Sequence, residues 1–388
     1  MSNSLRIALV LDRFESALGG LESWTEGLAH WLVHRGHDIS VLCFAGTAGD
    51  APLSLRVIDA RGGPLARAAA IEAGFSGLTF DIIHDTGTAA RADVFQPQTG
   101  SRLINAELDI AGRAPWSRLR SRLSPGFLRW RRETRILERR QFADPSRLIA
   151  VSGMVRDQIA VRYGLDPARI AVIHNGVDTR RFTADRLAAL RGPARAKWSL
   201  GEAPVFLLVA NNFHLNGVDT ALRALARLAG DAPGIRLAIA GAGDVEGYGR
   251  LARRLGIAGQ VVFLGRLARV EEAYAAADVA LQPTRYDACS LATLEGLASG
   301  LPTITTRSNG AAELMEPEKQ GIVLDRPADD EALAQAMARL LRPELRLRMG
   351  ATARALGLEH DVEDNYRAVE AFYRRVLPRQ AAGPLQAT

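Results

Sequence analysis

Cysteine is almost absent from this chain. Its 388 residues include only Cys43 and Cys289, far apart and without metal-ligand spacing. That excludes a disulfide-built fold and a thiolate zinc site, and it points to a reducing cytosol. Long apolar runs are missing too, since no stretch of about eighteen apolar residues occurs to cross a bilayer. The first residues carry a short apolar run, 6–11, closed by Asp12. They read as a strand and not as a secretion signal. Lysine is scarce as well: Lys197 and Lys319 stand alone against arginine in a Lys plus Arg total of 49.

What remains fits a soluble globular protein, 47% apolar and 24% charged. The length suits two domains. Residues 6–11 suit a central parallel strand. A loop with Gly19 and Gly20, a helix over 21–35 and a strand over 38–44 follow, which together make a βαβ unit. Further strands are expected at 55–58, 81–84 and 148–152. The Arg- and Ala-rich stretch 183–199 marks a boundary. Beyond it, strands at 205–210, 236–241, 261–264, 278–281 and 322–324 alternate with helices at 218–228, 245–255 and 270–277. Helices at 331–341, 345–356 and 362–376 close the chain. The fold class is α/β, with two doubly wound Rossmann-like domains.

The most informative stretch is 285–305, which reads as loop, helix and buried strand. Asp287 and Glu295 flank the start of the helix, and Gly300-Leu301-Pro302 stops it. Backbone amides of residues 290–293 would lack intrahelical partners, and the helix dipole favours an anion there. Two acids around such a helix start suit a diphosphate bearing hydroxylated groups on either side. Cys289 reads as an uncharged filler.

Here the chain resembles the retaining glycosyltransferases of the GT-B fold, family 4 type. Their paired acids, with seven residues between them, precede a helix like LATLEGLASGLP. The resemblance implies that Glu295 holds the ribose of a nucleotide and that Asp287, aspartate where the family has glutamate, reaches hydroxyls of the transferred sugar. It also implies a donor site that includes Gly19, Gly20, Asn212, His214, Asn216, Arg266, Ala288, Cys289, Ser290 and Leu291. The segment Val151-Ser152, followed by Asn175-Gly176-Val177-Asp178 and Phe182, matches a second family pattern. It reads as architectural, with Ser152 capping a helix over 153–163. By the same resemblance, residues 1–183 form the acceptor domain, residues 184–360 form the donor domain, and a last helix, 361–388, crosses back to the first.

The chain departs from the pattern at Leu215 and Asn216, which stand where the family carries an arginine and a lysine against the departing diphosphate. Losing one preorganised donor to a developing anion costs about 3 kcal/mol. Arg13, His214, Arg266, Arg285 and Arg307, all near predicted strand ends, are candidates to compensate. In the first domain, Gln96 and Gln98 occupy the loop where many members have a histidine, and His84 lies at a nearby strand end. His84 and Gln98 are the expected acceptor-side residues.

Net charge is +6, distributed unevenly. Between residues 112 and 141, ten arginines face only Glu133 and Glu138, a local excess larger than that of the whole chain. Trp116, Leu119, Leu123, Phe127, Leu128 and Trp130 interleave with Arg118, Arg122, Arg129, Arg131, Arg132 and Arg135. Pro125-Gly126 divides the segment into two amphipathic helices, a pattern for an anionic membrane surface. Nucleic acid is not expected as a partner, because no nucleic-acid module occurs.

The resemblance therefore implies metal-independent transfer, without a cofactor, of a sugar from a nucleotide diphosphate donor, UDP favoured. The acceptor would be a lipid-linked or lipopolysaccharide-type glycan at the inner membrane face, reached by a cytoplasmic, peripheral protein. The rival, kept open by Asn216, is a membrane-docked sugar-nucleotide or glycan-binding protein that assists an active transferase.

Overall fold

The computed structural model describes residues 4–15, 19–47, 52–112 and 115–377. The apolar run near the N-terminus becomes β1 (Arg6–Val10), buried at four of its five positions, as a strand covered on both faces must be. It is the middle of a parallel sheet with β2 (Asp38–Cys43), β3 (Ser54–Val57), β4 (Ile82–Asp85) and β5 (Val94–Phe95), in the order β3-β2-β1-β4-β5. Helix α1 (Gly20–His34) makes the first crossover. Helices α2 (Pro64–Gly74) and α3 (Arg102–Ala111) have no counterpart in the sequence reading. The arginine-rich segment forms the two expected helices, α4 (Pro115–Leu123) and α5 (Pro125–Gln141), but the break falls at Ser124, and Pro125-Gly126 opens the second helix instead of separating the two.

The strand expected over 148–152 is shorter. Only Ile149–Ala150 is extended, and it pairs with Ala171–Val172 in a small sheet of its own. Val151 and Ser152 turn instead into α6 (Gly153–Tyr163), where the Ser152 hydroxyl caps the Val155 amide. The boundary stretch is not loose chain either. It forms α7 (Ala184–Lys197), since alanine, leucine and arginine are strong helix formers. Arg191 and Arg195 fasten it to Asp278, with contacts of 2.6 and 3.3 Å.

The second sheet contains β6 (Val205–Val209), β7 (Arg236–Ala240), β8 (Val261–Gly265), β9 (Val279–Gln282), β10 (Thr303–Thr306) and β11 (Gly321–Leu324). Its order is β8-β7-β6-β9-β10-β11, all parallel. Around it lie α8 (Val218–Leu228), α9 (Val245–Arg254), α10 (Glu271–Ala276), α11 (Leu291–Ala298), α12 (Asp330–Arg339) and α13 (Pro343–Glu359). Both strand orders reverse beside the first strand of the sheet, and ligands of such sheets bind at the carboxyl ends near that reversal.

The last described helix, α14 (Val362–Val376), packs on the first sheet's lobe. Trp24 donates to Asn365 at 2.8 Å, and His37 lies 3.3 Å from Glu370. Residues 378–388 of the expected final helix, residues 16–18 of the glycine loop and Arg113 lie outside the described residues. Among the described residues, no helix is long and apolar enough to cross a membrane.

Candidate active site between the two lobes

Helix α11 begins where its sequence says it should. Ser290 is extended and its hydroxyl accepts from the Thr293 amide at 3.2 Å. The loop before it is pinned to the neighbouring chain, because Asp287 donates its amide to Ser308 and accepts from Gly310. Two of the four amides expected to await an anion are therefore already used: Thr293 by Ser290, and Ser290 by Asn309 Oδ1 at 3.2 Å. Asn309 is itself fixed by donating to Thr293 and Thr305 at 2.8 and 2.9 Å. Among the described residues, the amides of Leu291 and Ala292 have no such partner. The helix start is half capped and half open.

The open half faces the other lobe. A Cβ added at Gly20 would stand 2.8 Å from Leu291 Cδ1, and one at Gly19 would stand 3.4 Å from Asn211 Nδ2. Bare backbone at the start of α1 thus approaches the start of α11 closely, leaving two helix N-termini around one gap.

Both acids sit where charge is disfavoured. Burial raises Asp287 to about 6, opposed by the Cys289 amide and the Ser290 hydroxyl, which hydrogen-bond its carboxyl. Burial likewise raises Glu295 to about 7, opposed by the Arg181 charge. Glu295 Oε2 lies 2.9 Å from the Tyr274 hydroxyl. Arg181 itself is committed to Glu271 at 2.9 Å. Glu295 and Leu291 open into a cavity of about 540 Å³, walled on the other lobe by Trp24, Trp31 and Tyr366.

In the loop 211–219 the asparagines close the turn on itself. Asn212 accepts from the Leu215 amide at 3.0 Å, and Asn216 accepts from the Asn212 amide at 3.2 Å. Asn216 is thus engaged in holding the loop. Gly217, at φ +75, starts α8 with its backbone against Pro283. Two of the five proposed compensating cations are spent elsewhere. Arg285 grips Asp219 through two contacts of 2.9 Å, and Arg307 pairs with Asp325 at 2.6 Å on the exposed side. Of the other three, Arg13 is exposed near Glu22, and Arg266 directly follows β8. His214 has a buried Nε2 with no hydrogen-bond partner, facing Gly112 of the first lobe.

His84 does not belong to the cleft. It is 1% exposed, Nδ1 lies 2.6 Å from the Tyr373 hydroxyl, and burial lowers it to about 3, so it is a neutral core residue under α14. Gln98 is buried with a free Nε2, an amide donor still seeking a partner.

The sequence reading missed the contacts that join the lobes. The Ser152 hydroxyl donates to the carbonyl of Ala288 at 2.7 Å, and Asn175 donates to that of Cys289 at 2.9 Å. Glu313 caps the start of α6, accepting from the amides of Gly153 and Met154 at 2.8 and 2.5 Å, and lies 3.2 Å from His174. The Asn-Gly turn taken as architectural is therefore the clasp of the site. Its asparagine was visible in the sequence, but its partner 114 positions away was not.

On the arginine-rich hairpin, Trp116 is 83% exposed, and Leu119, Leu123 and Leu128 are exposed beside it. Arg122, Arg132 and Arg135 are exposed, whereas Arg129 pairs with Glu133 and Arg131 with Glu107. Arg118 is half-buried within the hairpin.

Comparison with known proteins adds two family matches. Residues 193–356 match the model described as glycosyl transferases group 1, and residues 109–181 match glycosyltransferase family 4. A GDP-mannose-dependent alpha-(1-6)-phosphatidylinositol monomannoside mannosyltransferase of Mycobacterium tuberculosis is 33% identical over 215 residues, 53% of this chain and 55% of that protein. A D-inositol 3-phosphate glycosyltransferase of Acidothermus cellulolyticus is 30% identical over 261 residues, 63% of this chain and 56% of that one. The chain thus spans a little over half the length of these relatives. Among solved structures, WaaG, a glycosyltransferase involved in lipopolysaccharide biosynthesis, superposes with a TM-score of 0.80 at 23% identity, covering 94% of this chain and 98% of that one. Anabaena HepE with UDP-glucose gives 0.72 at 17% identity, covering 96% and 100%.

Proposed function

Because the chain belongs to the group 1, family 4 glycosyltransferases of GT-B fold, we propose that it transfers a sugar from a nucleotide diphosphate donor, with retention of configuration, to a lipid-linked or lipopolysaccharide-type glycan. The observation that carries this reading is the approach of Gly19 and Gly20 to the open start of α11, between Asp287 and Glu295. Diphosphate oxygens accept from the Leu291 and Ala292 amides, Glu295 holds the ribose, and Asp287 reaches the sugar. The bond from the anomeric carbon to the diphosphate breaks, and the acceptor oxygen bonds to that carbon on the same face. Its proton passes to the departing diphosphate oxygen, so no protein base and no metal is needed.

The sequence reading favours UDP, whereas the mycobacterial relative is named for GDP-mannose; both nucleotides belong in the test. Calorimetry with UDP and GDP, followed by turnover of their sugars with and without EDTA, checks donor, activity and metal independence together. Binding of neither nucleotide, or loss of all turnover in EDTA, overturns the corresponding part. Binding without turnover on any donor favours the rival assisting role.

The acceptor side rests on the hairpin. Exposed Trp116, Leu119 and Leu123 fall at helical spacing on α4, with Arg120 and Arg122 beside them. Such a face suits the headgroup layer of an anionic membrane; WaaG is described as involved in lipopolysaccharide biosynthesis, and the mannosyltransferase is named for phosphatidylinositol monomannoside. The protein then works at the cytoplasmic membrane surface without spanning it.

A further inference from the structure

The hydroxyl of Tyr274 stands 3.0 Å from the carbonyl oxygen of Ala292 and 2.9 Å from Glu295 Oε2. A phenol has one proton. If it donates to the carboxyl, two lone pairs face each other at Ala292. If it donates to Ala292, the carboxyl oxygen must supply a proton of its own. A backbone carbonyl never can, whereas a carboxylic acid does.

We propose that Tyr274 is a positioning residue that holds Glu295 as the neutral acid in the empty cleft, and that nucleotide binding releases this proton to solvent. The second half rests on the donor-site reading above. In the empty protein the acid donates to the Tyr274 oxygen, and Tyr274 donates to Ala292, so every short contact contains one hydrogen. The ribose offers two hydroxyl donors, which call for an ionised carboxylate with both oxygens accepting. The acid therefore loses its proton as the nucleotide seats.

The surroundings agree. Tyr274 is 2% exposed, its ring edge-on to Phe182, and burial holds its hydroxyl protonated far beyond neutral pH. Arg181, the cation beside Glu295, is drawn to Glu271 instead, which also binds Arg186 at 2.8 Å. The Glu271 charge itself disfavours a second carboxylate nearby. Across the cavity stand His30 and His34 of α1, Asp178 and Arg180 of the preceding turn, and Glu363 of α14.

The test is a pH titration of side-chain carboxyls by carbon NMR on the ligand-free chain, with the Glu295 signal assigned by its loss in Glu295→Gln. The expected midpoint lies near neutral. Tyr274→Phe removes the oxygen that accepts from the acid and lowers the midpoint by about one pH unit. A phenol that donated to an ionised carboxylate would give the opposite sign. A midpoint in the ordinary carboxylate range, or an upward shift in Tyr274→Phe, overturns the assignment. Calorimetry with UDP and GDP at pH 6.5, in buffers of different ionisation enthalpy, should then show about three-quarters of a proton released per nucleotide bound. Affinity should fall roughly tenfold per pH unit below the midpoint. Binding without proton release overturns the second half. Binding of neither nucleotide removes the donor-site reading, while the neutral midpoint and the sign of the Tyr274→Phe shift still decide the first half.

Discussion

The hydroxyl of Ser152 donates to the carbonyl of Ala288 at 2.7 Å, one lobe to the other. The same peptide unit carries the Cys289 amide on its far side, and that amide hydrogen-bonds the Asp287 carboxyl. A residue of the first lobe thus sets the tilt of a peptide plane that orients an acid of the second. Ser152→Ala removes this contact and the cap of α6 together. We expect a stability loss of about 1–2 kcal/mol in urea unfolding, and a fall in turnover larger than the change in nucleotide affinity. Turnover equal to the parent would show that the plane holds without Ser152.

Two glycines should separate folding from binding. Gly217 has φ +75, and an added Cβ would meet Pro283 O at 2.2 Å, a backbone atom that cannot swing away. Gly217→Ala should destabilise by at least about 2 kcal/mol. Gly20 has ordinary room except for Leu291 Cδ1, the end of a flexible side chain. Gly20→Ala should leave the melting temperature within a few degrees while weakening UDP or GDP binding. Melting curves and calorimetry on the two variants check both halves.

The pH dependence of stability has a definite sign. The folded-state carboxyl of Glu295 is raised from 4.5 to about 7, so the folded chain holds this proton more tightly than the unfolded one. Its contribution is complete below about pH 4.5 and is lost as pH rises to about 7. Across that window the loss is on the order of 3 kcal/mol. Glu295→Gln removes the slope from this residue and leaves that of Asp287, which ends at about 6. Urea midpoints at pH 5 and pH 8 for both proteins measure it; an unchanged difference between the two pH values would refute the shift.

Membrane docking should depend on side chains that pack against little of the protein. Trp116 and Leu123 are 83% and 65% exposed. Burial of two such side chains in the headgroup region contributes about 1.5–3 kcal/mol each. Trp116→Ser with Leu123→Ser should therefore release the protein from anionic vesicles by tenfold or more, with unaltered melting. Raising salt should weaken parent binding in vesicle flotation, because the arginine attraction is screened. Undiminished flotation of the double variant would reject this surface.

Helices whose ends are set locally were legible in the sequence. For α6 the signals are Ser152 at one end and the left-handed Gly164 at the other, and the expected bounds match. Helices α8 and α14 also match, with Gly217 and Asp361 just ahead of them. Long-range partners escaped. Nothing local tells that Arg285 will spend its charge on Asp219, 66 positions earlier, or that Asn309 will reach back to the start of α11. A strand-end histidine such as His84 can serve the cleft or the core, and what decides it is Tyr373, 289 positions later, which covers it. The paired acids were readable because both belong to one loop and helix. The clasp at Ser152, Asn175 and Glu313 was not, because it exists only once the lobes meet.

The crossing of α14 back onto the first lobe has a consequence for how the chain is made. A ribosome emits the first lobe before the second, yet Trp24, His37 and His84 find Asn365, Glu370 and Tyr373 only when residues 362–376 have emerged. The second lobe is therefore complete on the growing chain while the first still shows a bare side. The first lobe is closed by a helix made after the second lobe.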